Sequence, residues 1–221
     1  MNTFKKWLSY WIPQREKTYF SHINGQLEIN WQDGKRVLDT AVSNYSYGNL
    51  QKILHYALQQ AHFCPREVQS VLLLGLGGGS VVETLRKNFG YMGPITCIDI
   101  DPLIISLAKE EFQIERFAPL EILCQDAAVY VTNSNRSFDW IIVDIFIGKC
   151  IPDSFTKSPF LQHLARITSA KGQIIFNTML ETLSANQLKE MASSLADSGL
   201  ATRILWQVSH TNNLILAKKV Q

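Results

Sequence analysis

The sequence predicts an α/β fold. Its core is a doubly wound, mostly parallel sheet of about seven strands with an antiparallel last strand, and a small N-terminal β-meander precedes it. Three observations predict this. From residue 70 onward, short continuous apolar runs alternate with helical segments. Strands apolar on both faces belong to a parallel sheet covered by helices. The first of these runs ends in a glycine-rich turn that opens a helix. The last two β runs, Arg203–Val208 and Asn213–Lys218, are too close in sequence for a right-handed crossover, which needs roughly a dozen residues. They must form a hairpin, so the last strand runs against the others.

Composition narrows the class. With 46% hydrophobic and 18% charged residues among 221, the chain is not intrinsically disordered. A net charge of +2 is too balanced for a nucleic-acid-coating surface, so no nucleic-acid partner is expected. No apolar run approaches the ~20 residues that span a bilayer. The four cysteines, Cys64, Cys97, Cys124 and Cys150, show no close ligand pair, so no zinc site is indicated. Cys97 and Cys124 lie in apolar strand-like runs and are read as small buried hydrophobes. The five histidines are scattered, and Ser80 and Ser154 lack a nucleophile-elbow context. The N-terminus, MNTFKKWLSYWIP, has no continuous apolar core for secretion, and a cytoplasmic protein is expected.

Taken in order, the elements begin with Phe4, Trp7, Leu8, Trp11 and Ile12 at helical spacing. They predict a short helix or arm packing on its own domain or on a sister subunit, with an interfacial membrane helix as the alternative. Residues 18–40 read as a three-strand meander (near 18–23, 26–31 and 36–39), with Asn24-Gly25 and Asp33-Gly34 as two-residue hairpin turns. Residues 1–46 are thus assigned to an arm and meander, and 47–221 to the main domain. Residues 47–62 form an amphipathic helix through Leu50, Ile53, Leu54, Ala57 and Leu58. Strands follow at Val71–Leu74, Ile95–Ile98, Leu120–Cys124, Trp140–Val143 and Gln173–Asn177, with helices near 80–89, 102–112, 126–133 and 158–168. A helix near 184–198 stops at Gly199.

Four strand ends carry chemistry. VLLLGLGGGS (71–80) runs a buried strand into Gly75, Gly77, Gly78 and Gly79. Such glycines let a backbone turn sharply and approach a ligand closely, although a tight βα connection alone would use them too. In TCIDIDP (96–102), Asp99 ends the second strand, where a carboxylate can accept both hydroxyls of a ribose, and Ile100 follows it. Asp101 before Pro102 reads as a helix cap. In CQDAAVYV (124–131), Asp126 is either a helix cap or an acceptor for the amino group of an adenine, with the Ala127 N–H nearby. In FDWIIVDIF (138–146), Asp144 ends the fourth strand at the edge where open α/β sheets bind ligands. Asp139 lies at the far edge and reads as a turn residue.

In order and content these motifs resemble those of the spermidine synthase (aminopropyltransferase) family, within the class I S-adenosylmethionine-dependent methyltransferase superfamily. The resemblance runs over residues 18–178: NGQLEINWQDGKRVLDT, LGLGGGS, CIDIDP, QDAAVYV, FDWIIVDIF and FTKSPF. It implies that Asp99 binds ribose, that Asp126 binds adenine, and that Asp144 helps deprotonate the attacking nucleophile. Tyr47, in NYSYGNL, falls where the family has an active-site tyrosine. It further implies S-adenosylmethionine or its decarboxylated form as the ligand, and a homodimer. The chain departs from the family pattern at Gly78 and Ile147, where the family has acids that hold amino groups, and at Ser43 and Asn49, where it has Gln and Glu. A diamine needs carboxylates at both ends of its site. The expected function is therefore an S-adenosylmethionine-type nucleoside-binding transferase, first a methyltransferase on a small-molecule acceptor. The alternatives are an aminopropyltransferase with an altered acceptor and a non-catalytic binding module on the same fold.

Overall fold

The computed structural model describes residues 3–40, 44–46, 49–148 and 150–220. A short helix, α1 (Thr3–Leu8), leads into a four-stranded antiparallel sheet of β1 (Gln14–Ser21), β2 (Gly25–Gln32), β3 (Lys35–Thr40) and β4 (Asn44–Ser46). The meander thus has one more strand than the sequence suggests, a three-residue element with no apolar signal of its own. Its second turn is the expected Asp33-Gly34 pair, both residues at positive φ. Its first turn is longer than expected, because Ser21 pairs with Gly25 and three residues lie between them. The Ser21 hydroxyl closes that turn by accepting the Ile23 and Asn24 N–H groups.

The main sheet has seven strands in the order β10-β11-β9-β8-β5-β6-β7. They are β5 (Val71–Leu74), β6 (Ile95–Asp99), β7 (Leu120–Cys124), β8 (Phe138–Val143), β9 (Thr168–Met179), β10 (Leu200–Val208) and β11 (Asn212–Lys219). β5 to β9 are mutually parallel, and β11 runs antiparallel to both β9 and β10. From β5 the chain winds outward through β6 and β7, then returns to the other side of β5 as β8. The switch point therefore lies between β5 and β8.

Both faces of the sheet are apolar because successive side chains alternate. Leu72 and Leu74 of β5 point to one core, with Ile141 and Val143 of β8. Val71 and Leu73 point to the other, with Trp140 and Ile142. The first face is covered by α5 (Ala127–Asn133), α6 (Ser158–Ile167) and α7 (Ala185–Asp197). The second is covered by α2 (Asn49–Gln60) and α3 (Ser80–Lys87). α7 starts in a capping box of Ser184 and Gln187, and the chain leaves it through Gly199 at positive φ. Cys97 is fully buried as expected, but Cys124 is exposed. It ends β7, the edge strand of the sheet, where the apolar run loses its cover.

The meander docks on α4 (Pro102–Glu110). Leu27, Ile29, Val37 and Leu38 pack against Ile104, Leu107 and Phe112. Two polar clasps flank that cluster. Asp101, 2% exposed, caps α4 through the Leu103 N–H and accepts Asn24 Nδ2 at 2.6 Å and the Ser21 hydroxyl. At the other end of α4, Glu111 accepts Lys17 Nζ at 2.6 Å, the Tyr19 hydroxyl at 2.8 Å and the Arg36 guanidinium. Burial pushes the Glu111 carboxyl up, but these donors outweigh it and hold it at about 2. The arm rests on the same sheet through Ser9, whose hydroxyl accepts the Gly34 N–H. Trp7, Tyr10, Trp11 and Ile12 remain exposed.

Asp101→Ala is expected to lower stability by about 2 kcal/mol, since it removes a cap and orphans two donors of the meander. A drop in the urea midpoint at unchanged slope would register it.

Candidate functional site

A cleft opens at the carboxyl ends of β5, β6 and β8, with about 1000 Å³ of empty space partly continuous with solvent. Gly75, Gly77, Asp99, Ile100, Asp126, Ala127 and Asp144 all line it. Seven of the residues singled out in the sequence thus share one cleft. Gly78 and Gly79 do not line it. Gly79, at φ +84, packs against the Ile114 side chain and precedes α3, so its lack of a side chain serves the turn's packing. Tyr47 and Ser43 lie outside the described residues, as does the boundary drawn between 46 and 47.

Gly75 follows β5 at φ +92, and any Cβ there would overlap the Asp144 carbonyl. The two strand ends therefore touch through backbone alone. The Asp144 N–H donates to the Leu74 carbonyl at 2.8 Å, which continues the β5–β8 ladder into the cleft. Asp99 ends β6. Its Oδ2 accepts the Leu76 N–H at 2.9 Å and its Oδ1 the Asp101 N–H at 3.0 Å. Burial pushes the Asp99 carboxyl up to about 6 despite backbone donors from Asp101, Leu76 and Gly77. The carboxylate braces the glycine turn while still lining the cleft. Beside it, Ile100 presents an apolar surface 45% exposed.

Asp126 combines the two roles left open by the sequence. Its Oδ1 accepts the Ala128 and Val129 N–H groups, which makes it the cap of α5, and the residue also lines the cleft. Asp144 is raised to about 6 by burial, and Asn177 Nδ2 counters that by donating to its Oδ1 at 2.9 Å. Asp139 lies at the opposite end of the sheet. There it accepts the Gln69 and Ser70 N–H groups and the Ser169 hydroxyl, securing the chain's entry into β5.

Several lining residues went unread in the sequence. Asn24 reaches the cleft from the meander turn and Leu50 from α2. Ile145, Phe146, Gly148, Pro152, Ser154 and Phe155 form a wall after β8, together with Ile147, and Met179 closes it from β9. Asn24 carried only a turn signal. The wall has no period that would mark it, although a long segment after a site-bearing strand is itself a functional sign. Among the described lining residues the charged groups are Asp99, Asp126 and Asp144, three acids facing a largely apolar wall. Glycines that admit a close backbone, an acid at the β6 end and an apolar surface beside it fit a nucleoside.

The family described as the spermine/spermidine synthase domain matches residues 49–206. A polyamine aminopropyltransferase of Vibrio vulnificus is 27% identical over 113 residues, 50% of this chain and 38% of that protein. An eEF1A lysine and N-terminal methyltransferase homolog of Drosophila melanogaster is 28% identical over 141 residues, 57% of this chain and 21% of its own. The chain thus spans well under half the length of these relatives. Among solved structures, a spermidine synthase in complex with the transition state analogue AdoDATO superposes with a TM-score of 0.71 at 19% identity, covering 94% of this chain and 74% of that one. That likeness shows the fold.

Asp144 is held ionised against a cost that Asn would not incur. Its folded pKa of about 6 exceeds the ordinary 3.8, so its contribution to stability is best below about pH 4 and is lost as pH rises through 6. Asp144→Asn is expected to stabilise the protein by about 2 kcal/mol at pH 8 and by little at pH 4. Thermal unfolding of both proteins at the two pH values measures the difference.

Proposed function

The chain belongs to the spermine/spermidine synthase domain family, and from that premise we propose that it is an S-adenosylmethionine-type nucleoside-binding transferase that moves a methyl group to a small acceptor. The observation that carries this reading is the convergence of Gly75, Gly77, Asp99, Asp126 and Asp144 on one cleft at the switch point. The Gly75–Gly77 backbone would admit the nucleoside. Asp99, already oriented by Leu76 and Asp101, keeps acceptor capacity for ribose hydroxyls, since a carboxylate accepts about four hydrogen bonds. Ile100 offers a surface for the base, and Asp126 with the Ala127 N–H the polar partners for its edge. The sulfonium supplies the electrophilic carbon when bound. The protein's own task is to orient the nucleophile and take its proton, and Asp144, poised near 6, is matched to that task at neutral pH.

Methyl transfer is favoured over aminopropyl transfer by the apolar wall that follows Asp144 in the chain. Ile147 lines the cleft where the resemblance puts the family's second acid, among Ile145, Phe146, Pro152 and Phe155. A diamine bound there would leave its far ammonium against hydrocarbon, at a cost of several kcal/mol. The wall suits an acceptor with one nucleophilic end and an apolar body. The name of the Drosophila relative, an eEF1A lysine and N-terminal methyltransferase homolog, supports an amine as that end. The reading also includes the cytoplasm as the compartment and a homodimer as the assembly. Exposed Trp7, Tyr10, Trp11 and Ile12 offer a surface for a second copy. No described helix is long and apolar enough to cross a membrane.

Calorimetry with S-adenosylmethionine, its decarboxylated form and methylthioadenosine tests the site. Binding of at least one is expected, with S-adenosylmethionine the tightest and Asp99→Ala weakening it at least tenfold. Binding by none of the three sinks the proposal, and a preference for the decarboxylated form shifts it to aminopropyl transfer. Ribose hydroxyls donate to the ionised form of Asp99, so affinity is expected to rise with pH up to about 6 and then level off. Titrations at pH 5, 6 and 7.5 read that slope.

A further inference from the structure

Behind Asp144 lies a row of buried polar side chains that the cleft itself does not use. Asn177, Thr178, Asn212 and Asn213 are each 4% exposed or less. They sit where β9 meets β11, and β11 enters the sheet only by way of the terminal hairpin. Four polar groups in an otherwise apolar sheet demand a reason, because each must be paired to be tolerated. Thr178 donates to the Asn213 carbonyl, and Asn213 Oδ1 accepts the Gln207 N–H, so those two secure the hairpin. The other two run toward the cleft. Asn212 Nδ2 donates to Asn177 Oδ1 at 2.9 Å, and Asn177 Nδ2 donates to Asp144 Oδ1 at 2.9 Å.

The direction of this chain is fixed at both ends. A carboxylate only accepts, so Asn177 must turn its NH2 toward Asp144 and its carbonyl away. The carbonyl is then a buried acceptor, and Asn212 supplies its donor. With Asn212 in place, rotating the Asn177 amide would set NH2 against NH2 on one side and oxygen against oxygen on the other. Asp144 Oδ1 is thereby engaged by an amide of fixed orientation.

We propose that Asn177 and Asn212 are positioning residues: a two-amide relay from the terminal hairpin that fixes the rotamer of Asp144 and stabilises its charge. The role given to Asp144 rests on the transferase reading above, but the relay itself concerns groups of the free protein. The other charged groups lining the cleft, Asp99 and Asp126, are both acids and oppose that charge, so Asn177 is the neutral donor on which it depends. The relay also gives the antiparallel insertion a purpose at the site, since β11 delivers Asn212 from a strand that never touches the cleft.

The test follows the Asp144 carboxyl carbon by NMR across pH 4–9 in the ligand-free full chain, assigned with Asp144→Asn. The wild type is expected to titrate near 6. Asn177→Leu, close in shape but unable to donate, should move the midpoint up by about one pH unit. Asn212→Leu should move it in the same direction by less, because it releases the Asn177 amide without removing it. Asn213→Ala, which loosens the same hairpin outside the relay, should leave it in place. Unchanged midpoints in both relay variants, or an equal shift in Asn213→Ala, would overturn the proposal. If Asn177→Leu does not fold, the Asn212→Leu and Asn213→Ala pair still decides. Calorimetry with S-adenosylmethionine, its decarboxylated form and methylthioadenosine on the same proteins separates the two readings. Wild type that binds none of the three counts against the transferase, whereas the carboxyl titration counts for or against the relay either way.

Discussion

Asp99 accepts one backbone N–H from the glycine turn after β5 and another from Asp101 at the start of α4. A single side chain thereby spaces two loops that meet at the ligand edge. The first bond holds Leu76 and keeps the turn open, so that Gly75 and Gly77 face the cleft. The second places Asp101, which caps α4 and anchors Asn24 and Ser21 of the meander. The small N-terminal sheet therefore reaches the cleft through a chain of contacts that begins at Asp99. Its hydrophobic packing on Ile104, Leu107 and Phe112 supplies adhesion through buried apolar surface. The polar contacts supply the register, which decides whether Asn24 arrives at the cleft or beside it.

The parts of this arrangement differ in how openly the sequence declares them. Strands β5 to β9 are legible because a parallel sheet demands apolar runs on both faces, and Val71–Leu74 meets two cores at once. The acids at 99, 126 and 144 are legible because each ends such a run. Gly78 and Gly79 show the limit of that inference. A glycine cluster marks a turn, but only geometry separates those that face a ligand from those that let Ile114 pack. Cys124 misleads because an edge strand has the composition of a central one without its cover. The wall after β8 and Asn24 stay hidden for a different reason: they converge by topology, and nothing in their local spacing reflects it. Asn177 is an intermediate case. Its place at the end of IIFN is visible, but its partner Asn212 lies 35 residues away on a strand that arrives from the opposite direction.

The electrostatics divide the molecule. Far from the cleft, Glu111 is surrounded by donors and settles at about 2, so its clasp persists through any ordinary pH. At the cleft, Asp99 and Asp144 are both pushed up to about 6 by burial, and no cation among the described lining residues relieves them. The clasp acid Glu111 is paired with cations, whereas Asp99 and Asp144 are met by neutral N–H donors. That is the pattern expected where a ligand, and not the protein, is to complete the pairing. A cationic sulfonium and hydroxyl donors would both answer it.

The backbone contact between Gly75 and the Asp144 carbonyl has a consequence for anyone wishing to redesign this protein. Gly75 and the main chain of Asp144 meet with no side chain between them. A side chain at position 75 would push the Asp144 main chain away, whereas the Asp144 side chain can be exchanged without touching Gly75. The Ile145 N–H also lies near that contact, whereas Ile147, Pro152, Ser154 and Phe155 line the cleft further along the chain. Changes to the cleft wall are therefore best sought at those four positions, with Gly75 kept as glycine.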